Sequence, residues 1–288
     1  MAWISSHSAV QARAAPLTAI GTLGRREVLL WLAFILFANQ VLSLQAEIDE
    51  TLPAIAQALL SRNIIYYLGW YSVATLLFAG PADQPASRSD LAIALGVASL
   101  NLVPVLSSAW LATTAAGLLL LISRPRDNKI RAAAAVLLAL AFNGYWGPKL
   151  FSVFGYYILR ADAVLVGSVL AATQPGMGWH DTVVGTAGGH SVLIFNPCSS
   201  FHNISLGLLC WIAVTKLVRT SWVRGDAAVA AAVCAAMILF NATRLYLMAL
   251  SPAHYAYWHG GTGEDIIAWA STLTVLSISL WGAVRVGK

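Results

Sequence analysis

The sequence predicts an all-α polytopic membrane protein with about eight transmembrane helices, and with a short extracytoplasmic β-like hairpin or loop ahead of one of them. Three observations carry this. Of 288 residues, 59% are hydrophobic and only 10% charged, against about 25% charged in a soluble globular domain. The mean hydropathy is +0.73. Apolar stretches recur at roughly the 17–25 residues a helix needs to cross a bilayer, separated by short loops where the basic residues collect.

Residues 1–24 lack the apolar core of a signal peptide and read as a flexible cytoplasmic tail. Residues 25–288 read as a single transmembrane domain. Its first spans fall at 27–45, 63–80, 91–107 and 109–123, with Asn101, Pro104 and the SSAW stretch marking a tight turn between the third and fourth. A fifth helix over 130–146 is expected to break at Gly147-Pro148, because proline has no N–H to continue the ladder. Three more spans follow at 199–217, 227–248 and 265–284.

The segment 148–172 decides the topology. If it lies at the interface or re-enters, then Arg25–Arg26, the run from Arg124 to Arg131, Lys216 to Arg224, and Arg285 with Lys288 all face the cytoplasm. Lys149, Arg160 and Asp162 within it argue against a plain crossing. Both termini are then cytoplasmic, and Glu47, Asp49, Glu50, Glu264 and Asp265 lie outside. Residues 173–197, punctuated by glycine and partly alternating, suggest a small hairpin or loop lid on that outer side.

The net charge of +5 is what basic cytoplasmic loops produce and calls for no nucleic-acid partner. Three cysteines are too few for a disulfide framework, and their spacing fits no zinc or iron–sulfur pattern. Cys210 and Cys234 lie within apolar helices as packing residues. Cys198 differs, standing among polar residues in NPCSSFHN (196–203). Asn196 is a good N-cap and Pro197 suits a first helical position. This puts Cys198 in the first turn, where the helix end favours a thiolate.

Cysteine attack on an acyl carbon also needs an acid/base group and positive charge where the oxyanion develops. Arg244, in FNATRLYLMAL, ends an otherwise uncharged helix on the same expected side as Cys198 and is costly there unless it serves a purpose. Among the histidines, His202 follows Cys198 by one turn and shares its face. His254 and His259 lie in the outer loop SPAHYAYWHGGTGED, and His259 is preferred because the following glycines let its side chain approach a neighbouring backbone. Two other readings use the same residues: a membrane acyltransferase employing Cys198 and a histidine, and a transporter lined by Arg244 and histidines. No internal repeat of the kind common in transporters is present.

The ordered set Cys198-Ser199 at a helix start, Asn241-Ala-Thr-Arg244 ending the next helix, and His259-Gly-Gly-Thr-Gly263 before the last one resembles the exosortase/archaeosortase family of multi-pass membrane cysteine transpeptidases. The motifs cover about residues 130–284. The resemblance implies that Cys198, Arg244 and His259 are catalytic, with Asn241, Ser199, His202 and His254 lining or supporting the site. It implies cleavage of C-terminal sorting signals on exported proteins through an acyl-thioester, at the extracytoplasmic face of the cytoplasmic membrane. The partners would be those exported proteins and membrane lipids. No metal or organic cofactor is expected. Ser200 stands where the family often has glycine, which bears on the substrate motif more than on the reaction.

Overall fold

A computed structural model of the chain describes residues 24–47, 63–80, 84–102, 105–124 and 126–286. The tail 1–23, Asp49, Glu50, Pro104 and Lys288 lie outside the described residues. The elements are α1 (Arg25–Glu47), α2 (Ile64–Phe78), α3 (Arg88–Leu100), α4 (Leu106–Ile122), α5 (Asn128–Ala141), a π turn (Phe142–Trp146) and α6 (Gly147–Thr173). Strands β1 (Met177–His180), β2 (Val183–Thr186) and β3 (Ser191–Leu193) follow, then a 3₁₀ turn (Asn196–Cys198). Helices α7 (Ser200–Val218), α8 (Asp226–Ala249), α9 (Pro252–Gly260) and α10 (Thr262–Arg285) complete the chain.

Short polar side chains start several of these helices by accepting backbone amides that have no intrahelical partner. Ser87 and Asp90 form a reciprocal capping box at α3, Asp127 caps α5, Ser199 caps α7 and Ser251 caps α9.

Among the described residues, five stretches are long and apolar enough to cross a membrane: Arg25–Ser43, Asn128–Thr173, Ser200–Val218, Asp226–Ala249 and Thr262–Arg285. Helices α2 and α4 are apolar but shorter. With 13 residues, α3 rises only about 20 Å, short of a hydrocarbon core about 30 Å thick. The chain is therefore a helical protein with a membrane-spanning character, and eight full spans remain the sequence expectation.

The expected break at Gly147-Pro148 does not occur. Pro148 comes just after a π turn, in which the Gly147 amide reaches back to the Phe142 carbonyl, and this wider turn accommodates the missing N–H. The helical path from Asn128 to Thr173 is 46 residues long, or about 69 Å at 1.5 Å per residue. Its two halves have different neighbours. Helix α5 packs against α2, α4 and α7, whereas α6 packs against the sheet and α8. At the first turn of α7, α6 places Phe151 against Phe201, with ring centroids 6.1 Å apart, and Asp162 against Ser200.

Among the described residues, two apolar cores result. The larger joins α1 to α5 with α7, α8 and α10, through residues such as Leu36, Val73, Leu140, Leu209 and Val275. Buried hydrogen bonds cross it: Tyr66 to Gln40 (2.7 Å) and Gln40 to Thr113 (2.8 Å) join α1, α2 and α4. The smaller core joins α6, the sheet and α8 around Cys198.

The sheet is antiparallel in the order β1-β2-β3. Trp179, Val184 and Val192 share a face, and Val184 and Val192 are buried in the smaller core. Trp179 lies directly over Gly167 of α6, so close that a Cβ there would stand 2.5 Å from the Trp179 Cβ. A glycine at 167 is what lets the sheet lie on the helix.

Candidate active site

Cys198 closes the 3₁₀ turn immediately after β3 and is only 4% exposed. The Cys198 amide donates to the Phe195 carbonyl at 2.8 Å. The α-helix starts two residues later, with Ser199 as its N-cap, accepting from the His202 amide. Cys198 therefore precedes the helix instead of lying in its first turn. Correspondingly, burial pushes its thiol above the ordinary range, the Arg244 guanidinium pulls it back down, and the Glu264 carboxylate adds to the rise. The helix end does not yield a ready thiolate.

The junction between Cys198 and the start of α7 is fixed by side chains from two other helices. Asp162 of α6 accepts both the amide of Ser200 (2.9 Å) and its hydroxyl (2.5 Å), putting a carboxylate at a helix N-terminus, where it is favoured. Asn241 of α8, buried, donates to the carbonyl of Cys198 at 2.9 Å. Its own oxygen accepts from Asn203 at 3.0 Å. A buried amide held on both sides in this way has little freedom to move.

One turn on from Asn241, Arg244 reaches α9 and α10. Its Nε donates to the Trp258 carbonyl at 2.9 Å, and its Nη2 to the His259 carbonyl at 3.3 Å and to Glu264 Oε1 at 2.9 Å. Part of its role is thus structural, since it closes the C-terminal end of α9 and pairs with the first turn of α10. Nη1 makes no hydrogen bond among the described residues, leaving one edge of the guanidinium able to receive an anionic oxygen.

The histidines divide. His254 and His259 are on helix α9, not in a loop, because Ser251 caps a helix whose first residue is Pro252. The His259 ring stacks on Tyr255 with centroids 4.7 Å apart, and Tyr255 meets His190 edge-on at 6.1 Å. His190 in turn is held to the Met248 carbonyl at 3.0 Å. The His259 imidazole makes no hydrogen bond among the described residues, including none to the Cys198 thiol. His254 is exposed and bonds to Ser251 at 2.9 Å, within the cap of α9. His202 is exposed and lines a separate cavity of about 290 Å³ with Pro148, Phe151 and Pro197.

Cys198, Asn241, Arg244 and the backbone of His259 thus converge where α6, the sheet, α8, α9 and α10 meet, and Ser199 stands beside them as a cap. His202 and His254 stand apart. Glu264, Asn203 and Asp162 belong to the same constellation and were not anticipated as site residues. An arginine in an apolar helix signals a counter-charge, and the nearest acids along the chain start α10. Asp162 inside the apolar length of α6 carries the same kind of signal. Among the described residues, no three His, Cys, Asp or Glu side chains are grouped to hold a metal ion. No family model, curated protein or solved structure matches this chain.

Proposed function

We propose that this protein is a membrane cysteine peptidase or transpeptidase, of exosortase/archaeosortase type, that cleaves C-terminal sorting signals of exported proteins. The observation that carries the reading is the meeting of a buried thiol with a fixed guanidinium: Cys198 is held through Asn241, and the charge of Arg244 acts on it while Nη1 is unengaged. Orientation by Glu264 and two carbonyls is the preorganisation that oxyanion stabilisation requires.

In this mechanism the sulfur of Cys198 attacks the scissile carbonyl as its proton passes to His259, and the carbonyl oxygen takes up negative charge at Arg244. The C–N bond then breaks, with the proton returned from His259 to the leaving amine, and an acyl-thioester remains on Cys198. An amine, hydroxyl or water resolves it. Because burial disfavours the thiolate, removal of the thiol proton belongs to the reaction itself. His259, with its imidazole unbonded beside Tyr255, is the assigned acid/base group. In this reading the site faces the extracytoplasmic side of the cytoplasmic membrane.

The test compares exported proteins in cells carrying the wild type and Cys198→Ala. Precursors that retain C-terminal helices should accumulate only with the variant. Matching profiles, with the variant present at normal levels, would overturn the reading.

A further inference from the structure

The strand that leads into Cys198 has an open edge. Within the sheet, β3 pairs only with β2, in the register Val184↔Val192. The flanking bonds fix which way its backbone points: the Thr186 amide donates to the His190 carbonyl, and the Ile194 amide donates to the Thr182 carbonyl, both at 2.9 Å. Even-numbered residues of this strand therefore bond inward to β2. In an antiparallel ladder the alternate residues point their N–H and C=O groups the other way. These are Ser191 and Leu193, both exposed, and among the described residues no backbone group bonds to that edge.

A row of unpaired backbone groups is a template for another extended chain. Two further features set what kind of chain. The strand is continuous with the nucleophile, since Phe195 bonds the Cys198 amide directly, so a chain laid along β3 runs toward the thiol. The exposed face of the sheet on the same side is a trough of about 570 Å³ whose floor includes Gly178, Gly185 and Ser191, leaving room beside the edge for side chains. The Leu193 side chain, 58% exposed, offers an apolar surface beside it.

Resting on the peptidase reading, the geometry points to β-strand addition as the mode of substrate recognition: the extended segment ahead of a substrate's C-terminal helix pairs with the open edge of β3 and delivers its scissile carbonyl to Cys198. Main-chain bonds supply affinity in this mode, and pockets for alternate side chains supply selectivity.

Leu193→Pro tests this in the full chain in membranes. It removes an outward N–H and none of the inward bonds, which is where a strand tolerates proline. Processing of the precursors that accumulate with Cys198→Ala should slow at least tenfold in Leu193→Pro and less than threefold in Leu193→Ala. Alkylation of Cys198 by iodoacetamide should be unchanged in both, which shows that the nucleophile's surroundings are intact. In parallel, a benzophenone amino acid at position 193 in Cys198→Ala should cross-link to those same precursors, within the extended segment ahead of their C-terminal helix. If the precursors accumulate but Leu193→Pro processes them normally, or the cross-links fall elsewhere on them, the edge is not the docking site and the peptidase reading stands. If Leu193→Pro alters Cys198 alkylation, the cross-link alone decides. If no precursor accumulates with Cys198→Ala, the peptidase reading falls and this proposal with it.

Discussion

The amide of Asn241 on α8 donates to the carbonyl of Cys198 at 2.9 Å, so the backbone of Cys198 is held by a helix that begins 28 residues later in the chain. Through Asn203, whose amide binds the Asn241 oxygen at 3.0 Å, the same contact ties the start of α7 to the last turns of α8. Replacing Asn241 by Ala strands the buried Cys198 carbonyl and takes one of two acceptors from the partly buried Asn203 amide. Each unsatisfied group costs about 1–3 kcal/mol. Thermal unfolding in detergent should show the loss, and precursor processing should fall at least tenfold. Asn241→Asp restores an acceptor for Asn203 only and should not rescue processing.

The reactivity of Cys198 should depend on pH with a definite sign. Burial disfavours the thiolate, so alkylation should rise through a midpoint above the ordinary thiol value of about 8.5. Arg244 favours the thiolate and Glu264 opposes it. At a fixed pH near 8, Arg244→Met should therefore alkylate more slowly than wild type and Glu264→Gln faster. Equal rates in all three would mean that neither charge reaches the sulfur.

The three candidate bases separate by mutation. His259→Ala should abolish processing, because no other unbonded imidazole lies on α9 beside Arg244. His254→Ala and His202→Ala should retain most activity, since one ring serves the α9 cap and the other lines a different cavity. Quantitative mass spectrometry of the exported proteins reads all three.

Removing Asp162 should loosen the start of α7. Asp162→Ala leaves the Ser200 amide and hydroxyl without their acceptor, a capping loss of about 1–2 kcal/mol. Denaturation in detergent measures this directly. Asp162→Asn, which keeps one carbonyl oxygen, should lose less.

Gly167→Ala should displace the sheet. The added Cβ would meet the Trp179 Cβ at 2.5 Å, and neither atom can rotate away. Overpacking of this kind costs about 1–3 kcal/mol, which exceeds the gain of about 1 kcal/mol in helix propensity. Limited proteolysis should open the strands in this variant. Gly178→Ala, where a Cβ would meet nothing within 4 Å, should leave them intact.

Much of this architecture can be read in the sequence because apolar length and glycine punctuation are local signals. The helices, the turn near Asn101 and the stretch that forms the sheet are all of that kind. Less legible were features where two local signals competed. Asn196 and Ser199 are both good caps three residues apart, but Asn196 falls inside a 3₁₀ turn without a side-chain cap bond and Ser199 caps the helix, which moves Cys198 outside it. Pro148 signals a break, yet a π turn just before it lets the helical path run on. The partnerships of Arg244 with Glu264 and of Asp162 with Ser200 were hidden for another reason. They join residues 20 and 38 apart, and nothing in local pattern says which acid meets which donor.

The pairing of Arg244 with Glu264 bears on how the chain enters the membrane. Helix α8 carries its arginine into an apolar setting before the matching carboxylate, in the first turn of α10, has been made. A lone arginine costs about 2.5–3.5 kcal/mol at insertion when it stands at the centre of a spanning helix and less toward the end, where Arg244 lies. Helices α8 and α10 are then best inserted as a hairpin, with α9 closing it, and Glu264→Ala should lower membrane-integrated protein as read by pulse-labelling. Biogenesis and activation coincide in such a design: the thiol made early acquires its positive neighbour in working orientation only when synthesis has reached the final helix.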